Sequence, residues 1–222
     1  MSLRVDPAIQ SELRKAANAL ARAGLVHAYG HCSIRLSAEH FLVCAPMPMG
    51  LISNEDGIVV PIRGELPPRV LGEVRAHQAI YERRSEVNAV CRVMPPSVMA
   101  LSTRSIVARP RHGIGAYLHP GPAFWENVRL IRDDESAALL AERLGAMNSV
   151  VMRGNGAITV AETMPKAVVL AWFLEDAARV ECDVRRMGFD PDSGLLDCDE
   201  IASRQTWAGG VIERMWDHLT AA

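Results

Sequence analysis

Arg92 and Met94 are two residues whose side chains could act on a ligand. They lie in residues 87–94, a stretch rich in β-branched residues that predicts a strand ending at Pro95-Pro96. Side chains alternate between the faces of a strand, so both residues are predicted to share one face. That is the spacing of a metal-binding His-x-His pair, but neither residue is a histidine. Because arginine is permanently protonated and has no lone pair, Arg92 predicts an anion-binding pocket rather than a metal centre. The plainer interpretations are a solvated charge on an edge strand for Arg92 and an apolar filler for Met94.

Glu73 and His77 supply a carboxylate and an imidazole, two groups that can transfer protons. Pro67-Pro68 opens a predicted helix that runs to about Arg83, and residues four apart on a helix share a face. The sequence therefore places Glu73 and His77 side by side, either lining a pocket or as an ordinary surface pair.

Asn155 lies in a predicted β-hairpin, because residues 149–152 and 157–160 have the composition of strands. The Asn155-Gly156 pair between them predicts a two-residue turn with positive φ values. Asn155 is therefore either a turn residue selected for its left-handed conformation or a residue that lines a pocket.

Two further segments contain candidates for ligand binding and proton transfer. Gly30, His31 and Ser33 form a Gly-His-x-Ser stretch that would suit an anion-holding loop, although His31 could instead cap a turn. The segment 109–122 is rich in glycine, proline and histidine and is a predicted loop. Its candidate residues are His112, Tyr117 and His119.

The remaining pattern predicts one α/β domain over residues 1–222. Asp6-Pro7 caps a first helix that stops at Gly24, and a last helix ends near Leu219. Short strands are predicted near 33–36, 41–44, 58–60 and 128–131. Two more helices are predicted at 133–144 and 163–187.

Several motifs together resemble the class II aldolase and adducin family, over roughly residues 7 to 219. They are Tyr29-Gly30-His31-Cys32-Ser33-Ile34-Arg35, Leu66-Pro67-Pro68 with Glu73 and His77-Gln78-Ala79-Ile80-Tyr81, Val87-Asn88-Ala89-Val90, and Arg153-Gly154-Asn155-Gly156-Ala157. The Gly-His-x-Ser-x-Arg and Arg-Gly-x-Gly-Ala forms are similar to the branch that contains metal-dependent aromatic and heteroaromatic carboxylate decarboxylases. The resemblance implies a three-layer αβα fold, with a mostly antiparallel central sheet between helices. It also implies homo-oligomers, tetramers or larger, with active sites between subunits that Trp207 and Trp216 could face.

The resemblance further implies a divalent metal, and this sequence departs from the ligands that would hold it. In the family pattern a His-x-His pair stands at Arg92 and Met94, a third histidine at Asn155 and a carboxylate at Glu73. Such a metal stabilises the negative charge that carbon–carbon cleavage builds on oxygen. With all three histidines replaced, we expect a pocket without a metal cofactor. The alternative is a displaced site built from Glu73 with His27, His31, His112 and His119.

Composition excludes several classes of function. A formal net charge of −2 offers no surface for nucleic acid, and no apolar run is long enough to span a membrane. Five scattered cysteines without Cys-x-x-Cys spacing argue against a disulfide framework or a structural zinc site, so a cytoplasmic location is expected. Lys15 and Lys166 lie on ordinary predicted helices, which disfavours a Schiff-base mechanism.

Two classes of function follow. The first is a carbon–carbon lyase of the aldolase or decarboxylase type, acting on a small carboxylated or phenolic substrate. In that enzyme Arg92 would anchor the oxyanion, Glu73 or a loop histidine would handle the proton, and the stretch from Gly30 to Ser33 would hold a carboxylate. The second is a non-catalytic relative that binds a small acid or pairs with an active homologue.

Overall fold

The computed structural model describes residues 4–221, which contain seven α-helices and seven strands. The helices are α1 (Pro7–Arg22), α2 (Arg75–Arg83), α3 (Pro96–Ser102), α4 (Asp134–Leu144), α5 (Met164–Arg186), α6 (Cys198–Arg204) and α7 (Val211–Thr220). The strands are β1 (His31–Arg35), β2 (His40–Val43), β3 (Ile58–Pro61), β4 (Ala89–Val93), β5 (Ala123–Trp125), β6 (Ser149–Met152) and β7 (Ala157–Ala161). Short 3-10 turns occur at Met49–Leu51, Gly72–Val74 and Gly115–Leu118.

All seven strands form one sheet in the order β3-β2-β1-β4-β7-β6-β5. Every neighbouring pair is antiparallel except β5 and β6, which run parallel, so the predicted mostly antiparallel sheet is confirmed. β4 is the central strand, and Arg92 on it lies opposite His31 of β1 and Ile158 of β7. Arg92 is also buried, with 4% of its surface exposed. Its interpretation as a solvated edge charge is therefore wrong.

Helices cover both faces of the sheet, which confirms the predicted αβα layering. Cys91 and Val93 of β4 point into a core that they share with α1, α5 and α7. The alternate residue Val90 points into a second core, which α2 and α4 complete. Because strand side chains alternate, this division assigns Arg92 to the face that carries α2 and α4.

Three helix starts follow the local capping chemistry that the sequence contains. The side chains of Asp6, Asp133 and Thr163 each accept a hydrogen bond from a backbone N–H in the first turn of α1, α4 and α5. Each bond satisfies a donor that has no partner within its own helix. The predicted positions of these three helices are confirmed.

The helix predicted to begin at Pro67-Pro68 is wrong in its first half. Arg69 has a φ of 75° and Leu71 is extended, so the chain turns before it can become helical. The α-helix starts only at Arg75, and Glu73 lies in the preceding 3-10 turn.

Three other boundaries also differ from the sequence pattern. The segment 128–131 is not a strand: Val128 and Leu130 are exposed, and the edge of β6 pairs with β5 instead. Pro96 is also the first residue of α3. The N–H that proline lacks would have no hydrogen-bond partner at that position of a helix, so its absence does not destabilise α3. The single helix predicted at the end of the chain is two helices, α6 and α7.

The hairpin of β6 and β7 is confirmed, but its turn is not a two-residue Asn-Gly turn. Positive φ values fall on Gly154 and Gly156, at 64° and 76°, and Asn155 is not among the residues with positive φ. The interpretation of Asn155 as a residue selected for a left-handed backbone is therefore wrong. None of the helices within residues 4–221 combines the length and apolar character needed to cross a membrane.

Candidate active site

Three of the sequence-selected residues, Glu73, Arg92 and Asn155, converge on one point. Arg92 donates a hydrogen bond from Nη2 to Asn155 Oδ1 over 2.8 Å, and its Nη2 lies 3.6 Å from Glu73 Oε1. Its Nη1 donates to the Val93 carbonyl oxygen over 3.1 Å. A central strand, a hairpin turn and the 3-10 turn before α2 thus supply one side chain each.

The two charged side chains of this cluster differ in how deeply they are buried. The side chain of Glu73 is 24% exposed, whereas that of Arg92 is 4% exposed. Burial lowers the pKa of Arg92 and the nearby Glu73 carboxylate opposes that shift, while arginine stays protonated at any physiological pH. The cluster therefore presents a buried cation behind a partly exposed carboxylate and amide.

Met94 and two glycines form the backbone frame of this cluster. Met94 lies just beyond β4, half-buried, and its N–H donates to the Leu25 carbonyl oxygen over 2.8 Å. A Cβ on Gly156 would lie 2.1 Å from the Val93 carbonyl oxygen, and one on Gly30 would lie 2.7 Å from Val26 Cγ1. A side chain at Gly156 would overlap the backbone of β4, and one at Gly30 would overlap the Val26 side chain and crowd the Arg92 carbonyl oxygen.

A chain of hydrogen bonds lies beside Arg92 on the same face of the sheet. His31 Nδ1 is 2.8 Å from His77 Nε2, and His77 Nδ1 is 2.6 Å from Ser33 Oγ. Ser33 Oγ is in turn 2.9 Å from the Tyr81 hydroxyl, which donates to the Ser33 carbonyl oxygen. Gly30 to Ser33 thus do not form an anion-holding loop, because β1 begins at His31 and the Ser33 hydroxyl already has two partners.

Both histidines of this chain are neutral at ordinary pH. Burial lowers the pKa of His77 to about 3, and the positive charge of Arg92 adds to the effect of burial. Burial also lowers the pKa of His31 well below its usual value, and His77 and Arg92 lower that pKa further. Neutral imidazoles can each donate one hydrogen bond and accept one, which makes their tautomers informative.

Arg35, the last residue of the Gly-His-x-Ser-x-Arg motif, has a structural role that the sequence did not reveal. Its guanidinium donates to the carbonyl oxygens of Tyr81, Arg84 and Val87, at and just beyond the C-terminal end of α2. These bonds join the C-terminal end of α2 and the turn that follows it to one side chain of β1. Arg35 therefore fixes α2, and with it His77, against β1.

The three candidates from the segment 109–122 do not join this cluster. Tyr117 is buried in the core on the opposite face, where its ring contacts Phe173 and Trp207. His112 Nε2 is 2.9 Å from Asp176 Oδ2 on α5, and His119 is exposed. Trp207 and Trp216 are both half-buried against that same core.

The residues at this point do not fit the divalent metal that the family resemblance implies. A guanidinium has no lone pair, and here it lies against Glu73, the one carboxylate that could ligate. Methionine sulfur is a poor ligand for hard ions, and the Asn155 oxygen already accepts from Arg92. Within residues 4–221, no group of three or more histidine, cysteine or acidic side chains is arranged to hold a metal ion.

Comparison with known proteins gives a consistent result along most of the chain. Residues 11–182 match the class II aldolase and adducin N-terminal domain family. The chain is 26% identical over 211 residues to a 3,4-dihydroxyphthalate decarboxylase of Arthrobacter keyseri, an alignment that covers 84% of each protein. It is also 26% identical over 192 residues to the enzyme of the same name from Rhodococcus jostii, covering 77% of this chain and 76% of that protein.

Solved structures show the same fold. An aldolase II superfamily protein from Pseudomonas syringae superposes with a TM-score of 0.81 at 22% identity, covering 97% of this chain and 93% of that one. The L-fuculose-1-phosphate aldolase of Thermus thermophilus superposes with a TM-score of 0.75 at 24% identity, covering 82% of this chain and 97% of that one. At these identities the structural likeness establishes the architecture alone.

Proposed function

Because this chain belongs to the class II aldolase and adducin family, we propose that it is a carbon–carbon lyase of the aldolase or decarboxylase type that works without a divalent metal. Its substrate would be a small carboxylated or phenolic compound, and the decarboxylase relatives support that class. The observation that carries the proposal is the buried Arg92 guanidinium, which stands at the centre of the site with Glu73 and Asn155 around it.

The chemistry of the proposal follows from the charge that the reaction creates. When a carboxylate leaves as carbon dioxide, the electron pair of the broken bond moves onto the remaining carbon and its adjacent carbonyl or phenol oxygen. A fixed positive charge in a buried site stabilises that oxygen, although less strongly than a divalent ion. Arg92 would supply this charge, and its planar fork can also hold a carboxylate by two parallel hydrogen bonds.

Glu73 and Asn155 would complete the reaction site. Glu73 is the partly exposed carboxylate nearest to Arg92, so it would take up a proton from solvent water and pass it to the substrate carbon after the bond breaks. Asn155 uses its carbonyl oxygen on Arg92, which leaves the amide nitrogen as the end that can donate to a bound ligand.

The second candidate is a non-catalytic relative, and one specific observation favours it. The Arg92 guanidinium already has an ion-pair partner and two acceptors within the protein. A substrate would have to compete with Glu73 for it, whereas a protein that only keeps the fold would not. The tetramer or larger homo-oligomer and the cytoplasmic location also stay predictions, and the mass of the native particle would check the first.

Metal dependence is the direct test of the proposed function. We expect the purified protein to contain no stoichiometric transition metal, and chelation followed by addition of zinc, manganese or magnesium to leave carboxylate binding and turnover unchanged. Elemental analysis would measure the metal content, and a thermal-shift screen of aromatic and hydroxy carboxylates would measure ligand binding. About one tightly bound zinc per chain, with Glu73 among its ligands, would contradict the proposal.

A further inference from the structure

His31 contains a buried nitrogen whose role the proposed function does not explain. Its Nδ1 contacts His77, but its Nε2 is buried and has no hydrogen-bond partner within residues 4–221. Only 3% of the His31 surface is exposed. Buried polar atoms of native proteins nearly always have a partner, so an atom without one calls for a specific explanation.

The series of hydrogen bonds that links Tyr81, Ser33, His77 and His31 has a direction that follows from its Tyr81 end. A carbonyl oxygen only accepts, so the Tyr81 hydroxyl proton belongs to the bond with the Ser33 carbonyl. The contact between the two hydroxyls then requires the Ser33 hydroxyl to donate to Tyr81. With that proton used, His77 must donate from Nδ1 to Ser33 Oγ, which leaves His77 Nε2 as an acceptor.

The same reasoning fixes the tautomer of His31. Because His77 Nε2 accepts, His31 must donate to it from Nδ1. Both rings are neutral, since burial and the charge of Arg92 lower the pKa of each. His31 Nε2 therefore carries a bare lone pair, and Ser33, His77 and Tyr81 are the positioning residues that keep it bare.

The cavity that His31 lines is small and mostly apolar. His31 lines a cavity with Cys44, Pro46, Leu71 and Val74 that has room for about one water-sized group. A trapped water would need two to four polar partners, and this lining offers few besides His31. Leu71 is exposed on its outer side, so the cavity lies directly beneath the surface.

From this arrangement we infer that His31 Nε2 accepts a hydrogen bond from one hydroxyl group of the ligand. This hydroxyl is attached to the carbon atom next to the one that bears the carboxylate. His31 and Arg92 are directly opposite on β1 and β4, which brings their Cβ atoms within about 5 Å. The charge of Arg92 also acts on the His31 ring, so the two side chains lie close enough for one small ligand to contact both. The inference rests on the proposed role of Arg92 as the carboxylate anchor.

The tautomer can be tested on the unmodified protein by nitrogen NMR of labelled histidine, with His31→Phe and His77→Gln used to assign the signals. At neutral pH we expect the His31 Nε2 signal of a bare imine nitrogen and a protonated His77 Nδ1. A protonated His31 Nε2 would overturn the inference. The protonation states are read from the unmodified protein, and the two variants serve only to assign the signals.

The predicted hydroxyl contact can be tested by measuring ligand affinities by calorimetry. The ligands are 2-hydroxybenzoate, benzoate and 2-fluorobenzoate. The fluoro compound resembles the hydroxy compound but has no proton to donate. We expect the hydroxy compound to bind about tenfold more tightly than the other two, the gain of one good hydrogen bond. His31→Phe should abolish this preference while benzoate still binds, and Ser33→Ala should reduce it. Equal affinity for all three compounds would overturn the inference and leave the role of Arg92 intact. Failure of all three to bind would overturn the proposed function, and the inference with it.

Discussion

Arg92 supplies the buried positive charge of the candidate site. Glu73 and Asn155 hold its guanidinium in place. A guanidinium is one positive charge with a fixed hydrogen-bonding geometry, so it selects planar anions. In the proposed function, Arg92 would therefore bind the substrate acid directly.

Replacing Arg92 by methionine should weaken carboxylate binding by roughly 1.5–3 kcal/mol, the usual range for a hydrogen bond to a charged group. Arg92→Lys should give an intermediate loss, because lysine keeps the charge without the planar fork. Titration calorimetry would measure both variants. Arg63→Met is the matched control, since Arg63 is exposed and pairs only with Glu82 among the residues that the structure describes. If Arg92→Met bound a responsive carboxylate as well as the parent protein does, Arg92 would be an ordinary strand residue.

Among the elements of the fold, close contact between the end of β4 and the hairpin of β6 and β7 shapes the site. Gly156 lies against the Val93 carbonyl oxygen, and this contact places the turn that carries Asn155 beside Arg92. On the other side, Arg35 holds the end of α2 against β1, which positions His77 next to His31. The functional side chains are thus located by backbone contacts outside the site itself.

Gly156→Ala should destabilise the protein by more than about 1 kcal/mol and also weaken carboxylate binding. The new Cβ would meet the Val93 carbonyl oxygen in a backbone conformation with a φ of 76°, which L residues rarely adopt. Gly154→Ala is the control in the same turn, because its φ is 64° but no atom lies within 4 Å of the added Cβ. Chemical denaturation would compare the two variants. Equal losses would show that backbone strain alone, rather than the contact with β4, makes glycine necessary at position 156.

In the molecule as a whole, the buried pair of neutral histidines links stability to pH. In the folded protein His77 has a pKa of about 3 and His31 a pKa well below its usual value, whereas both titrate near 6.5 when the chain is unfolded. Between these values the unfolded chain binds more protons than the folded one. The stability that this pair contributes is therefore complete above about pH 6.5 and is lost as the pH falls below it.

We expect the free energy of unfolding to fall by up to about 1.4 kcal/mol per pH unit for each of the two histidines below about pH 6.5. Urea denaturation between about pH 4 and pH 8 would measure this slope, because carboxylates with depressed pKa values contribute mainly at the lower end. His77→Gln keeps a polar side chain at this position but cannot titrate, so the slope between about pH 5 and pH 6.5 should decrease. An unchanged slope in that variant would mean that folding does not lower the pKa of His77.

Local information in the amino-acid sequence was enough to predict the family, the layered fold and most of the elements. Alternation and β-branched composition located the central strand, and Asp6, Asp133 and Thr163 marked helix starts through bonds within a few residues. The sequence also selected Arg92 and Asn155 as candidate site residues, and the structure places them in contact. Where the pattern was wrong, as at residues 67–74 and 128–131, the backbone of Arg69 or the pairing of β5 with β6 decided the outcome.

Which of the candidate residues meet could be learned only from how the chain packs. The side chains of Glu73, Arg92 and Asn155 come from three distant parts of the chain, and Tyr117 lies on the other side of the sheet from them. The hydrogen-bond chain from Tyr81 to His31 joins a helix to a strand through contacts between residues more than 40 positions apart. Such contacts depend on how strands pair and helices pack, and each is fixed by the burial of the whole core rather than by any local pattern of residues.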